Sequence, residues 1–301
     1  MGKSLSLLTA MVLALWATGA NAQIEVNLSG NARFGLDYDS ARMAPVAKAQ
    51  FNARARMEIE FRGVADNGLR FGANFRIDQA GGAAGNTAMT EGDVFISGAF
   101  GRLSMGDVGS AAEWAIGEFF EIGYTGLEMG PEFLGNGWLA GGTPTSVLYE
   151  YELGGFRLFA GSDQLQSGPV KSQISSIGAS YSFDRFTVGL GHETGRSSGT
   201  KVRHTVGGVE AAIDPYSILV MYGHKNLGGA SFKQYGASAS ATLKDHEIAA
   251  YYMRRFDTSR NVGVGYSYDL GKGAVLGAGV NRSSHLGVTT RQADLGLKTH
   301  F

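Results

Sequence analysis

The sequence of 301 residues contains no cysteine, which excludes disulfides, thiolate metal sites and a catalytic thiol. Proline is scarce at five residues, whereas glycine is abundant at 46, about twice its average share. The charge is nearly balanced, at −1, so the basic field that marks nucleic-acid partners is missing. Past the N-terminus no stretch is apolar enough for a membrane helix. Few prolines and many glycines favour long, paired and bent strands.

The first 22 residues have the pattern of a secretory signal peptide. Lys3 supplies a positive start, Leu5–Thr18 is almost entirely apolar, and Ala20-Asn21-Ala22 offers small residues to a signal peptidase. We therefore expect an exported protein whose mature chain begins at Gln23 and forms one domain, residues 23–301.

Apolar and polar residues alternate through most of the mature chain, as in strands with one apolar and one polar face. Short turns such as Asp66-Asn67-Gly68 separate these segments at one end. Longer connections are expected at the other end, among them Gly195–Thr200, Lys225–Ala230 and Ser283–Val288. In the first strand the apolar positions are Val26, Leu28, Gly30, Ala32, Phe34, Leu36 and Tyr38.

We count sixteen alternating segments, which is the strand number at which a barrel encloses an aqueous channel. Tyr and Phe recur near the strand ends, as in the two aromatic girdles of an outer-membrane barrel. The sequence therefore predicts an all-β protein, a 16-stranded antiparallel transmembrane β-barrel. The alternative is a soluble β-sandwich or propeller, whose apolar face would be larger and more β-branched.

One stretch, Asp107–Thr145, breaks the alternation after the fifth strand. Its thirty-nine residues contain no Lys or Arg, and they include Trp114 and Trp138, which have to be buried somewhere. Long loops of this kind are usually functional or disordered, and the aromatic content argues against disorder. We expect a pore constriction loop that folds into the barrel; the alternative is a surface flap. Its carboxylates are Asp107, Glu113, Glu118, Glu121, Glu128 and Glu132.

Several arginines fall on the polar face of the first three strands. Counted from the strand bases, they are expected to lie near one level of the barrel and to form a basic wall opposite the loop; the alternative is ordinary lumen-facing charge. The members of this basic wall are Arg33, Arg54, Arg56 and Arg76. Arg62 and Arg70 lie closer to a short turn and are expected to line the periplasmic mouth.

Four segments make the chain similar to the trimeric general porins of Gram-negative outer membranes: Glu25–Tyr38, Val94–Ala111, Pro131-Glu132-Phe133 and Ala293–Phe301. The resemblance implies a sixteen-stranded outer-membrane barrel with its third loop folded into the pore. It also implies a homotrimer surrounded by lipid bilayer and lipopolysaccharide, and a terminal Phe301 that resembles the signal read by barrel-assembly machinery. Small residues of the first and last strands would permit close packing between barrels, namely Gly30, Ala32, Ala293 and Gly296.

An acidic loop opposite a basic wall would set up a transverse field that favours polar solutes over apolar ones. The expected function is passive diffusion of small hydrophilic solutes and ions, with a slight cation preference, and it requires no cofactor. A substrate-specific channel for sugars or anions is the nearer alternative. An outer-membrane barrel hydrolase is the remote one, because the six His form no metal-ligand pair and no nucleophile elbow or phosphate loop occurs.

Overall fold

A computed structural model of the chain describes residues 24–80, 87–127, 146–163 and 173–301. The described residues form sixteen strands and one short helix, α1 (Ala111–Ile116). The strands are β1 (Glu25–Asp39), β2 (Ala49–Val64), β3 (Arg70–Ala80), β4 (Thr87–Gly98), β5 (Gly101–Gly106), β6 (Ser146–Leu153), β7 (Phe156–Ser162), β8 (Gln173–Phe183), β9 (Phe186–Ser197), β10 (Thr200–Ile213), β11 (Tyr216–Leu227), β12 (Ala230–Leu243), β13 (His246–Arg254), β14 (Arg260–Gly271), β15 (Ala274–His285) and β16 (Val288–His300).

The strands form a closed antiparallel meander in which each pairs with its neighbours in sequence and β1 pairs with β16. The seam between β1 and β16 ends at Phe301, whose backbone exchanges two hydrogen bonds with Gly30, at 2.9 and 3.0 Å. Closure leaves no free sheet edge, so the backbone polar groups are satisfied within the wall, as a bilayer requires. The predicted 16-stranded antiparallel transmembrane barrel is confirmed.

The apolar face of the sheet points outward. Phe51 is 90% exposed, Leu28 67% and Leu190 60%, whereas inward-facing Asn261 and Asn281 are 3% and 5% exposed. This inversion of the usual soluble pattern fits a wall that meets lipid outside and water inside. Among the described residues, no helix is both long and apolar enough to span a membrane.

Three of the longer connections expected from the sequence are two-residue turns in the structure. They are Ser198-Gly199, Gly228-Gly229 and Leu286-Gly287, and all six residues have positive φ, between 47° and 97°. Turns of this geometry continue the strand twist, and glycine adopts their second position without strain. The polar residues beside them belong to strands that extend beyond the apolar band.

Candidate pore constriction

Residues 107–127, the described part of the connection between β5 and β6, turn into the barrel, and α1 lies on the inner face of β8 and β9. Ala111 and Ala112 of the helix are fully buried, at 0% exposure. The strand positions beneath the helix are Gly178, Gly189 and Gly191. A Cβ at Gly191 would lie 2.5 Å from the Cβ of Ala112, and one at Gly178 or Gly189 would overlap a helix carbonyl oxygen. Glycine therefore lets the helix backbone lie directly on the barrel wall.

A buried polar contact fixes the start of α1. Ser110 is the N-cap: its hydroxyl accepts the N–H of Ala112 at 3.2 Å, and its own N–H donates to the predicted loop carboxylate Glu113 at 3.2 Å. The same hydroxyl donates to Oε1 of Glu193 at 2.7 Å, and His204 Nδ1 lies 2.8 Å from the second carboxylate oxygen. Glu193 and His204 are both fully buried, at 0% exposure. We call these three side chains, Ser110, Glu193 and His204, the loop latch.

Beyond α1 the chain continues along the inner wall over a second set of glycines. Phe119 is 5% exposed and Ile122 is 1% exposed. A Cβ at Gly236 would lie 2.8 Å from the Phe119 ring, and one at Gly265 would lie 2.6 Å from the Cβ of Ile122. This part of the chain therefore crosses β12 and β14 as closely as α1 crosses β8 and β9.

Tyr124 fills a third depression, where β15, β16 and β1 meet. Its side chain is fully buried, and a Cβ at Gly35, Gly277 or Gly296 would lie 2.9 Å from one of its atoms. Gly296, which the sequence suggested as a contact between barrels, therefore faces the inside of the barrel. That suggestion was wrong because Gly296 shares the inward parity of Asp294, while Leu295 is exposed outside.

The described part of the loop ends against β1 and β16. The backbone N–H of Thr125 donates to Oδ2 of Asp294 at 2.8 Å, and the Thr125 hydroxyl binds the same oxygen. Arg33, which is 8% exposed, donates from Nη1 to the carbonyl oxygen of Thr125 at 2.8 Å. Residues 110–127, which follow the inner wall from β8 to β1, are called the docked segment below.

The arginines of the predicted basic wall occupy the inner face of three adjacent strands. Arg33 in β1 lies directly opposite Arg54 in β2. Arg56 is two residues further along β2, and Arg76 in β3 lies opposite Glu58, two residues further again. The four arginines therefore form a stepped series across the strands.

An aspartate pairs with two of these arginines. Asp78 accepts from Arg56 at 2.8 and 2.9 Å in a bidentate ion pair, and Arg76 Nη2 lies 3.3 Å from its Oδ2. Arg54 donates to the amide oxygen of Asn31 at 3.3 Å. The structure thus brings Arg56 and Arg76 together through a carboxylate, which reduces the net positive charge of the wall.

The loop carboxylates occupy several environments. Glu118 and Glu121 are exposed on the docked segment, and Lys298 of β16 reaches Oε2 of Glu121 at 3.1 Å. Glu128 and Glu132 lie outside the described residues. The exposed carboxylates give the docked segment an acidic surface toward the lumen.

Asp107 stands at the base of the loop, beside the first strands. It shares a recess of about 310 Å³ with Arg76. Other acidic side chains that line this recess are Glu58, Glu60 and Asp93. Acidic and basic groups are therefore interleaved on the inner face of β1–β4.

The two arginines predicted near the periplasmic mouth lie toward the short-turn end of β2 and β3. Arg62 pairs with Glu60 at 2.7 Å. Arg70 lines a cavity of about 550 Å³ beside the turn residue Gly68. The charged residues that share this cavity are Arg102, Glu150, Glu152 and Arg157.

The loop latch contains the residue types of a hydrolytic triad, but its order does not suit catalysis. The Ser110 hydroxyl donates to Glu193 and not to the imidazole of His204, so the imidazole is not placed to take its proton as it would be in a triad. All three side chains are fully buried, which shields them from the lumen. Within the described ranges, no group of three or more His, Asp or Glu side chains is placed to hold a metal ion. The latch is therefore a structural contact.

Comparisons with known proteins agree with this architecture. A family model described as Gram-negative porin matches residues 8–286. A porin from Rhodobacter capsulatus is 30% identical over 311 aligned positions, which cover 92% of this chain and 100% of that protein. A porin structure refined at 1.8 Å resolution is 28% identical, with a TM-score of 0.74 and coverage of 92% of this chain and 100% of the other. A mutant of Rh. blastica porin has the same coverage and a TM-score of 0.73, but at 20% identity it supports the fold alone. The chain therefore belongs to the Gram-negative porin family and forms a diffusion pore of the outer membrane.

Proposed function

We propose that this pore is a general one, which passes small hydrophilic solutes and ions between the docked segment and the basic wall. The observation that carries the proposal is the path of the docked segment, which follows the inner wall from β8 round to β1. In a closed ring of sixteen strands, β2 and β3 lie opposite β10 and β11. The passage is then bounded on one side by α1 and the chain after it, and on the other by Arg54, Arg56 and Arg76.

The charges on these two surfaces support a transverse field. The docked segment presents Glu118 and Glu121 and contains no Lys or Arg, whereas guanidinium groups line the opposite strands. Oriented water in such a field is displaced easily by polar solutes, which replace its hydrogen bonds, and poorly by apolar ones. The constriction therefore favours hydrophilic solutes without a dedicated binding site.

Two features favour a general pore over a channel for sugars or anions. Among the aromatic side chains of the docked segment, Phe119 and Tyr124 are buried in the wall and only Trp114, at 47%, is strongly exposed, so the segment presents no series of rings along the lumen. Asp78 interrupts the arginine series, whereas an anion channel needs consecutive unneutralised cations. We propose no enzymatic step, so purified protein should show no esterase activity.

We further propose that the chain is exported with cleavage before Gln23 and that three copies assemble in the outer membrane. Assembly through the first and last strands is supported by the small outward residues Ala32 and Ala293. N-terminal sequencing of the mature protein and crosslinking in mild detergent test these points. A mature chain that kept residues 1–22, or an intact barrel that crosslinked only as monomers, would contradict them.

The pore proposal is tested by conductance in planar bilayers. The wild type should conduct without saturation by any one sugar or anion, with a slight cation preference that shrinks as salt rises, because the Debye length is about 10 Å at 0.1 M. The combined substitutions Arg54→Ser, Arg56→Ser and Arg76→Ser should shift the reversal potential toward cations. Glu118→Gln with Glu121→Gln should shift it toward anions.

The control for these variants is a charge that faces away from the lumen. Arg203 of β10 is exposed on the outer face, and Arg203→Ser should leave the reversal potential unchanged. If both lumen variants kept the wild-type reversal potential at low salt, the passage would not run between these two surfaces. Saturation of the conductance by one solute would instead indicate a specific channel.

A further inference from the structure

A recess in the inner wall lies at the short-turn end of β3–β7, and this end of an outer-membrane barrel faces the periplasm. Its volume is about 550 Å³, and pockets that bind small molecules typically have about 300–1,000 Å³. The charged side chains of this cavity, called the mouth recess below, are Arg70, Arg102, Glu150, Glu152 and Arg157. Cations and anions therefore meet in one space that is large enough for a small organic solute.

Five inward residues of this part of the wall lie at one level of the barrel. Each is directly opposite the next on the neighbouring strand, and from β3 to β7 they are Arg70, Ser97, Arg102, Glu150 and Phe159. Phe159 marks the inward direction, because it packs with α1 in one apolar cluster. Neighbouring strands are about 4.8 Å apart, so Arg70 and Arg102 start about 10 Å apart on either side of Ser97. The row therefore has two cations around a hydroxyl, and an anion comes next.

Part of the hydrogen-bonding capacity of this row is unused. Within the ranges that the structure describes, the side chains of Arg70 and Ser97 take part in no hydrogen bond or ion pair. Arg102 donates from Nε to the hydroxyl of Ser104 at 3.0 Å. Its two carboxylate neighbours, at 3.6 and 3.8 Å, are Asp93 and Glu150. Carboxylates at these distances attract the guanidinium without satisfying its N–H groups, so these groups remain available to a solute anion.

Two aromatic rings hold guanidinium groups of the recess in place. The guanidinium carbon of Arg102 lies 3.8 Å from the ring centroid of Phe95, and that of Arg157 lies 5.0 Å from the centroid of Phe159. Both rings are buried, at 8% and 4% exposure. Stacking on a fixed ring restricts a long side chain before any solute arrives, so less side-chain entropy is lost on binding. The two arginines are therefore partly preorganised.

The acidic side of the recess is also accessible. Glu150 lies between two cations, 3.8 Å from Arg102 and 3.8 Å from Arg157. Glu152 is exposed and lies directly opposite Arg157. Among the described residues, its side chain forms no hydrogen bond or ion pair. A solute cation can therefore reach a carboxylate one strand away from the arginine that receives a solute anion.

The mouth recess is separate from the constriction. Arg70 precedes Arg76 of the basic wall by six residues in β3, which is about 20 Å along the strand. Of the described residues, those that line the recess all belong to β3–β7 and their short turns, and none belongs to the docked segment. A solute bound here therefore lies beside the passage and leaves its narrow part open.

We propose that the mouth recess binds small zwitterionic solutes of the amino-acid class. The carboxylate binds at Arg70, Ser97 and Arg102. The ammonium binds at Glu150 and Glu152 of the next strand. Ions of a single sign fit less well, because an anion would lie beside two glutamates and a cation beside three arginines. A zwitterion complements both signs of charge. The inference goes beyond the general pore, because it assigns a solute class to a site outside the constriction.

The proposal is tested by saturation-transfer difference NMR on the purified, folded barrel in detergent. The three probes are free alanine, propionate, which lacks the ammonium, and ethylamine, which lacks the carboxylate. The wild type should bind alanine at least about tenfold more tightly than either of the others, because the loss of one hydrogen bond to a charged group corresponds to about this factor. The measurement involves no conduction, so its result is independent of the pore proposal.

Two double variants test the two halves of the site. Arg70→Gln with Arg102→Gln should weaken alanine binding at least about tenfold. Glu150→Gln with Glu152→Gln should also weaken alanine binding but strengthen propionate binding, because it removes the carboxylates that repel this anion. Arg62→Gln is the matched control: this exposed arginine lies at the same end of the barrel but outside the recess, so alanine binding should not change.

The wild-type comparison keeps the proposal testable. If a variant barrel fails to fold, as judged by its mobility on unheated gels, the three probes on the wild type still decide the question. Equal binding of the three probes, or tighter binding of propionate than of alanine, would overturn the proposal. Undiminished alanine binding by the folded barrel with Arg70→Gln and Arg102→Gln would overturn it as well.

Discussion

The loop latch allows a quantitative prediction: Ser110→Ala should loosen the docked segment without opening the barrel. The substitution removes a single hydroxyl that caps α1, where it accepts the N–H of Ala112 at 3.2 Å, and that also donates to Glu193 at 2.7 Å. The strands do not depend on this hydroxyl, so the effect should be confined to α1 and the chain that follows it.

The size of the effect follows from these two contacts. Loss of an N-cap side chain costs about 1 kcal/mol, and a hydrogen bond to a charged group contributes about 1.5–3 kcal/mol. The docked state of the variant should therefore be less stable by about 3 kcal/mol. Since about 1.4 kcal/mol corresponds to a factor of ten, the undocked population should rise on the order of a hundredfold.

Amide hydrogen exchange measures this population directly. The N–H of Trp114 is bonded to the carbonyl oxygen of Ser110 at 3.1 Å, and that of Gly117 to Glu113 at 3.0 Å. In Ser110→Ala these amides should exchange on the order of a hundredfold faster, while the amides of β9 and β10 keep their wild-type rates. Ser182→Ala is the matched control, because this serine is exposed and its hydroxyl contacts only Thr187 among the described hydrogen bonds.

One result would refute the reasoning. If the helix amides of a folded Ser110→Ala barrel exchanged at wild-type rates, the latch would contribute nothing to docking. The packing of the docked segment on its glycines would then hold it alone.

Three further changes test other parts of the site. Gly265→Val would place a side chain within 2.6 Å of Ile122 and should push the docked segment into the lumen, which lowers single-channel conductance; Gly207→Val, where the nearest atom is 3.7 Å away, should not. Asp78→Asn removes the carboxylate that pairs with two wall arginines, so the reversal potential should move toward anions, and a shift toward cations would contradict this. Deletion of Phe301 removes two seam hydrogen bonds and should reduce the free energy of unfolding of the barrel by about 2 kcal/mol. The barrel should therefore lose its compact gel mobility at a lower temperature than the wild type.

Most of the fold could be predicted from the sequence because it follows from a short-range pattern. Alternation along Glu25–Tyr38 identifies both a strand and its outward face, and loss of alternation at Asp107 identifies the loop. The tight turns at Ser198-Gly199 and Leu286-Gly287 were missed because outward polar residues beside them resemble loop sequence. Polarity alone does not separate a strand in the head-group region from a connection.

The path of the docked segment could not be predicted, because it depends on pairs of residues far apart in sequence. A signal was nevertheless present: Gly178, Gly191 and Gly265 fall on the inward parity, where a missing side chain makes room for a second layer. Arg33 looked equivalent to the other wall arginines, yet its guanidinium donates to a loop carbonyl 92 residues away. Glu193 gave no local sign of its buried position.

Three contacts tie the docked segment to successively later strands. Ser110 bonds to a residue of β9, 83 positions away; Phe120 bonds to β12, 118 positions away; and Thr125 bonds to β16, 169 positions away. The docked segment and the strands of the sheet therefore follow one another around the barrel in the same direction along the chain. If the strands join in chain order, each new strand presents the next docking position. The number of residues between a docked residue and its partner on the strand, which sets the entropy cost of the contact, then increases only gradually.

The contact with β16 has to wait for the C-terminal strand, which is also the strand that closes the seam with β1. The final narrowing of the lumen and the completion of the wall are then a single folding event. A barrel arrested before its last strand would be an open sheet with its constriction only partly in place. A closed barrel with an incomplete constriction would therefore not form on the way to the native pore.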